Sequence, residues 1–538
     1  MDIILYNALI YTVDEKLPYA SSIAILGNKI YKVGENEEIL KLKTDKTLLI
    51  DCKQKMILPG FNDSHLHLFQ TGQLLSWVDL VKSKSIDEVI SRTKEYIKNN
   101  PNKFYIIGYG WNQDLFIDEN RFITKDDLDK VSTDLPIMLY RACGHILVAN
   151  SKAIELANLD EFKIINGGSY SIDSGIFKEN AIDLVTKIIP PLTVEEIKEY
   201  ILKAMKHFNK FGVTSVQSDD FSPISSIGYN NTMKAYLELE KEKKISVRIY
   251  EQSLLPNINI LKDFIDDGYH TGWGSNLFKI GPLKLIADGS LGARTAALRN
   301  PYNDDPTTLG ILTYSDDDLY NLIEYAHLNN MQIAIHGIGD KAIEQILNQY
   351  EKVLKKYPKH NHRHGVVHVQ ITDEELLNRF KELNIIAYVQ PIFIDYDHTI
   401  VYDRVGEKLA NTSYAFNTMI NKGIKVSIGT DSPIESVNPF NNIYCAITRS
   451  SIEGLPINGY NINEKMSIEN AIKYYTTESA YASFEENIKG KIKDNYLADL
   501  ILIDRNIIKS RPLKLLNTQV LMTIMDGKIV YNKFTDFK

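Results

Sequence analysis

Cysteine is scarce in this chain: three residues in 538, at positions 52, 143 and 445, with no C-x-x-C among them. An odd number so widely spaced supports neither a disulfide framework nor a thiolate metal site. An excess of basic residues is also missing. Asp and Glu outnumber Lys and Arg by 69 to 61, and the net charge of −8 gives no reason to expect nucleic acid or an anionic membrane as partner. No run approaches the ~20 apolar residues of a membrane span. The N-terminus, Met-Asp-Ile-Ile-Leu-Tyr-Asn, lacks the basic start of a secretory leader. A cytoplasmic protein with no nucleic-acid or membrane partner is therefore expected. Internal repeats and low-complexity tracts are lacking as well. What is present is the composition of an ordinary globular protein, 44% hydrophobic and 24% charged, long enough for two or more structural units.

The two ends of the chain read alike. Ile3 to Thr12, Ser22 to Leu26, Lys29 to Val33 and Thr47 to Asp51 are short segments rich in β-branched and aromatic residues, with Gly27-Asn28 as a turn, and predict a β meander. Leu497 to Asp504 and Val520 to Met525 read the same way, with Asp526-Gly527 as a hairpin turn. One small β-sandwich domain built from residues 1–57 and 483–538 is expected, flanking a unit at 58–482. That unit alternates apolar strands with amphipathic helices, the pattern of a parallel α/β architecture. Gln332 to His336 precedes a helix from Lys341 to about Lys356. Gly365 to His368 precedes Thr372-Asp-Glu-Glu375, which reads as a capping box. Lys425 to Gly429 runs into Thr430-Asp431. Each places a reactive side chain at the carboxyl end of a strand, where a (β/α)₈ barrel keeps its active site. His336 and His368 lie 32 residues apart, about one βα unit, and His368 and Asp431 lie 63 apart, about two. The interval from His67 to Lys284 is too long for three units. An insertion at about 85–200 is therefore predicted, containing Trp111 and His145.

The most informative stretch is Pro59-Gly-Phe-Asn-Asp-Ser-His-Leu-His67. On an extended strand, side chains at i and i+2 share a face, so His65 and His67 aim at one point beside the carboxylate of Asp63. With His336, His368 and Asp431 this makes four imidazoles and a carboxylate, a donor set for one or two divalent ions such as zinc. The tract His360-Asn-His-Arg-His364 is polar throughout and reads as a solvated loop, not as ligands.

These motifs, together with Lys284-Leu-Ile-Ala-Asp-Gly-Ser-Leu-Gly-Ala-Arg-Thr-Ala296, Val389-Gln-Pro391 and Gly429-Thr-Asp-Ser-Pro433, resemble the amidohydrolase superfamily. Within it they resemble the YtcJ-like group that includes N-substituted formamide deformylases. The resemblance implies a (β/α)₈ TIM-like barrel with a small β-sandwich domain from both termini. It also implies a divalent metal, zinc as first choice, one or two ions per chain. Metal ligands would be His65, His67, Lys284, His336, His368 and Asp431, with Lys284 either carboxylated to a bridging carbamate or left as an ammonium. Asp431 would be the catalytic acid–base in hydrolysis of an amide-like C–N bond: an N-substituted formamide, N-acyl amine or cyclic amide. Trp111, His145, Arg294 and Gln390 match positions near the substrate pocket, and Asp288 would stand beside Lys284 or orient Arg294 there. One departure is Gly365-Val-Val-His368, where the group has Arg-Ile-Glu-His. The alternatives are a mononuclear deaminase or ring hydrolase, and a non-catalytic scaffold on the same fold. The partner is a small-molecule substrate of unknown identity. Oligomeric state stays open, with a homodimer as the working guess.

Overall fold

In the computed structural model, residues 1–117, 119–159, 168–221 and 228–533 are described. Eight parallel strands form a barrel: β1 (Phe61–Leu66), β2 (Val213–Ser218), β3 (Arg248–Leu254), β4 (Phe278–Ile286), β5 (Ile333–Gly337), β6 (Gly365–His368), β7 (Ile386–Val389) and β8 (Val426–Ile428), hydrogen-bonded in that order. β8 meets β1 just past its own end, where Asp431 N donates to His65 O at 2.8 Å and His67 N donates to Ser432 O at 2.7 Å. The strands are buried along nearly their whole length, as parallel strands covered on both faces must be. Helices supply the outer cover. In the helix Asp340–Lys356, Ala342, Ile343, Ile346, Leu347, Tyr350 and Val353 recur at helical spacing and are buried.

The helix after β6 starts one residue later than its sequence suggests. Asp373 accepts from Leu376 N and caps the helix Glu374–Glu382, while Thr372 and Thr412 clasp each other's carbonyls through their hydroxyls (2.7 and 2.6 Å). A second correction concerns the histidine tract. His362, Arg363 and His364 are buried, and only His360 and Asn361 are exposed. Ile333 N donates to His364 Nδ1, His364 Nε2–H to His327 Nδ1, and His327 Nε2–H to Tyr357 O, at 3.1, 2.9 and 2.9 Å. Because the last acceptor is a carbonyl, each ring is a neutral tautomer with both nitrogens used. The tract looked solvated because a neutral histidine network buries as readily as an apolar one once every ring nitrogen is paired.

Two further sheets lie in the same compact unit as the barrel. One joins Ser22–Leu26, Lys29–Gly34, Ile3–Tyr6 and Leu48–Asp51. The other joins Leu9–Tyr11, Tyr19–Ala20 and Met56–Pro59 to Leu500–Ile503, Val520–Met525 and Lys528–Asn532, so both chain ends share one sheet. Ile3, Leu5, Ile23 and Ile25 from the first pack with Ile10, Ile57, Leu500 and Ile524 from the second. This is a sandwich, not a meander: Ile3–Tyr6 pairs antiparallel with Ser22–Leu26 and parallel with Leu48–Asp51. The terminal sheet passes straight into β1 at Gly60, where a Cβ would lie 2.2 Å from Thr214 Oγ1, so only glycine fits.

Residues 70–203 form the core of a second compact unit, inserted in sequence between β1 and β2. Its six-stranded sheet has Val78–Asp79, Ile106–Trp111 and Ile137–Arg141 in parallel, followed by three antiparallel strands. Trp111 is fully buried there, packed edge-on against Phe122, with its indole N–H donating to Leu139 O at 3.0 Å. It is a core residue of this unit and presents no side-chain surface to a substrate. Among the described residues no helix is long and apolar enough to cross a membrane.

Candidate metal centre

His65 is the next-to-last residue of β1, and His67 follows the strand into the turn that closes the barrel. Both Nε2 atoms point at one oxygen of Asp431, at 3.3 and 3.2 Å, and the three ligand atoms lie within 4.8 Å of one another. Asp431 reaches this position through backbone in the left-handed region (φ 61°), as does His368 (φ 80°), followed by the β-branched Val369 (φ 49°). Left-handed backbone at non-glycine residues costs on the order of 1–3 kcal/mol and collects where function demands a particular aim.

The outer partners of the rings decide what these nitrogens are. His67 Nδ1 faces the carbonyl of Asp219 at 3.0 Å, so it carries the proton. His65 Nδ1 faces Gln252 Oε1 at 2.7 Å, and the orientation of that amide is set by Gln252 Nε2 donating to Ser64 O at 3.0 Å. With both Nδ1 atoms protonated, the two Nε2 lone pairs and a carboxylate oxygen converge, three acceptors without a donor between them. A divalent cation, or in its absence a proton, resolves that arrangement. His368 follows the same rule, with Nδ1–H donating to Gln390 Oε1 at 2.9 Å. His336 is reversed: its Nε2 lies 3.1 Å from Gly289 O and 3.3 Å from Asp288 Oδ1, so Nε2 carries the proton and Nδ1 the lone pair. The rings of His65 and His368 (5.4 Å between centroids) and of His336 and His368 (4.4 Å) are neighbours, although among the described residues only His65, His67 and Asp431 form a three-atom cluster.

Charge follows from burial and these contacts. Burial pulls His65 down to about 4, with the Lys284 charge adding to it. Burial acts the same way on His67, but hydrogen bonding and charge from Asp431, with Asp219 behind, overcome it and lift the ring to about 9. Asp431 is held well below the carboxylate range because its contacts with His65 and His67 outweigh its burial. One proton thus sits between His67 and Asp431, where the metal would go.

Several residues differ from expectation. Asp63 is not aimed at the centre: it accepts from Thr430 N, Thr430 Oγ1 and Tyr475 Oη at 3.0, 2.7 and 2.8 Å, and burial raises it to about 7. Asp288 is buried and accepts from Ile338 N, Gly339 N and Ala297 N, clasping the turn after β5 beside His336 instead of meeting a substrate. Gln390 orients His368 and is itself buried. Arg294 makes a two-pronged pair with Asp304 at 3.1 and 2.8 Å, not with Asp288. His145, in the second unit, is exposed and pairs with Glu179 at 2.9 Å. Lys284 is buried and forms an ion pair with Asp219 Oδ2 at 3.2 Å.

Asp219 and Gln252 were missed in the sequence. Asp219 was findable, since Thr214-Ser-Val-Gln-Ser218 ends β2 with a carboxylate next in line, the signal used for the candidate ligands. Gln252 gives no such signal, because only the barrel's curvature brings the middle of β3 against His65. Glu435 was missed as well: burial, with Asp395, Asp397 and Asp431 nearby, lifts it to about 8.

Residues 48–531 match the amidohydrolase family. The chain belongs to that family. It is 32% identical over 542 residues to a candidate amidohydrolase, YtcJ, of Bacillus subtilis, covering 99% of this chain and 100% of the relative. The N-substituted formamide deformylase of Arthrobacter pascens is 23% identical over 548 residues, covering 99% and 98%. An uncharacterized metal-dependent hydrolase from Pyrococcus furiosus has a solved structure with a TM-score of 0.79 at 32% identity, covering 94% of this chain and 100% of that one. That solved structure thus shares the fold over nearly the whole of this chain, and the family is one of hydrolases.

Proposed function

We propose that this amidohydrolase is a metal-dependent hydrolase of an amide-like C–N bond in a small molecule, with its ion held by His65, His67 and Asp431 and flanked by His336 and His368. The supporting observation is the convergence of two Nε2 lone pairs on a carboxylate, with both tautomers set from behind by Gln252 and Asp219. Zinc suits nitrogen and oxygen donors in this number. A divalent ion bound there supplies Lewis acidity toward water and a substrate carbonyl. Asp431, held ionised, takes a proton at its carboxylate and returns it to the leaving nitrogen. Asp219 and Gln252 keep the His67 and His65 rings from turning.

The ion pair between Lys284 and Asp219 bears on metal number. Lys284 as an ammonium paired with Asp219 goes with one ion, and Lys284 as a carbamate would go with two, so the ion count of purified protein separates the two forms. The name of the Arthrobacter pascens relative supplies the first substrates to try, N-formyl amines; N-acyl amino acids and cyclic amides follow as other amide-like C–N bonds. Metal analysis of purified protein, paired with that screen on wild type and Asp431→Asn, tests the proposal. About one ion per chain retained in both proteins, with turnover lost only in the variant, is the expected result. An active Asp431→Asn, or protein without metal, sinks it.

A further inference from the structure

A cavity of about 350 Å³ lies at the other end of the barrel, among the amino-terminal ends of the strands. Lys279 is the second residue of β4, Gln332 immediately precedes β5, and Asn361 lies just before β6. Every candidate metal ligand is at the opposite, carboxyl end.

Its floor is complete without a ligand. Tyr250 Oη donates to Gln332 Oε1 at 2.8 Å, and Gln332 Nε2 is spent on Arg363 O, Ala482 O and Tyr388 Oη. The rim is different. Lys359 Nζ donates to Asn330 Oδ1 at 3.2 Å, and Arg363 Nε donates to Asn361 Oδ1 at 2.9 Å. Both amides therefore have their carbonyl ends taken, and the polar ends left over are N–H₂ groups. Lys279 reaches Glu485 at 2.8 Å, but Lys489 holds the same carboxylate at 2.6 Å, so two ammoniums share one negative charge. Lys359 faces only a neutral partner. In a chain of net charge −8, two lysines and no carboxylate line this cavity, beside the hydroxyls of Tyr250, Thr271 and Ser483. One wall is apolar: Phe484 is 38% exposed, and the Arg363 guanidinium lies 4.2 Å from its ring.

We propose that this cavity binds a small organic anion, a carboxylate or phosphate carried on a short apolar body, at the barrel face opposite the metal centre. The volume is that of a small-molecule site. Lys279 and Lys359 would take the anionic head through charge-assisted hydrogen bonds, with the Asn330 and Asn361 amides completing its shell, while Phe484 covers the apolar part. The proposal does not depend on which bond the enzyme cuts.

Calorimetric titration of the full-length protein with phenyl phosphate, and separately with inorganic phosphate, tests it. Saturable binding of phenyl phosphate is expected, weakened at least tenfold by Lys359→Ala and by Lys279→Met. Phe484→Ala should weaken phenyl phosphate and leave inorganic phosphate unchanged. Lys359 is exposed, with one contact to Asn330, so its variant remains a fair test even if Lys279→Met, which takes a partner from Glu485, folds poorly. Equal affinity in wild type and Lys359→Ala places the anion elsewhere and overturns the proposal, as does titration without saturation.

Discussion

Metal binding should release close to one proton per ion at neutral pH, and the structure says which proton. In the metal-free protein His67 titrates at about 9, raised by Asp431 against its own burial, whereas His65 is down at about 4 and His368 lies well below the ordinary range. At pH 7.5 the His65 and His368 rings are already neutral and give up nothing. His67 is protonated and must lose its proton before Nε2 can coordinate. Apparent affinity should therefore rise about tenfold per pH unit between roughly pH 5 and 8, or ~100-fold from pH 6 to 8, equivalent to ~2.7 kcal/mol. The slope should flatten above pH ~9, where the ring is neutral without help. The assay is calorimetric titration of chelator-treated protein with Zn²⁺ or Co²⁺ in two non-coordinating buffers of different ionisation enthalpy, which yields the proton count directly. His67→Gln removes the titrating ring, so the count should fall to near zero along with weaker binding. No proton release at pH 7.5, or an affinity flat between pH 6 and 8, would show that His67 and Asp431 do not share the proton that the metal displaces.

Gln252→Leu removes the acceptor behind His65 Nδ1–H while touching no proposed ligand; a 10–100-fold loss in metal affinity is expected, read by competition with a chromogenic chelator. The buried histidines at 327, 362 and 364 are all held below their ordinary range, chiefly by burial, with His362 at about 4. A lowered histidine pKa means that the unfolded chain binds protons that the native one refuses. This stability is complete above the unfolded value of about 6.5 and is lost as pH falls toward the folded values. His362 alone should cost about 2 kcal/mol at pH 5, and urea denaturation of wild type and His362→Gln from pH 8 to 5 should show the variant losing less. Gly60→Ala drives a Cβ to 2.2 Å from Thr214 Oγ1, so a loss of ~1–3 kcal/mol is expected in thermal melts, partly relieved by Thr214→Ala.

Much of this protein is legible in one dimension, for a definite reason. A parallel barrel delivers its functional side chains at strand ends, and strand ends are visible as a polar residue closing an apolar run. His336, His368 and Asp431 are picked out as candidates that way, and His65 and His67 by the two-residue period of a strand. The same regularity sets the spacing of βα units and so exposes the long insertion between β1 and β2. What the chain could not reveal is partnership across it. Whether Gln390 meets a substrate or holds His368, whether Asp288 faces the pocket or clasps the turn after β5, and whether a polar histidine run is wet or buried all turn on contacts between residues tens to hundreds of positions apart. Hydrogen bonds are satisfied in space, so only the closed barrel decided that His65 and His67 turn their lone pairs toward Asp431, with Gln252 and Asp219 holding them from behind.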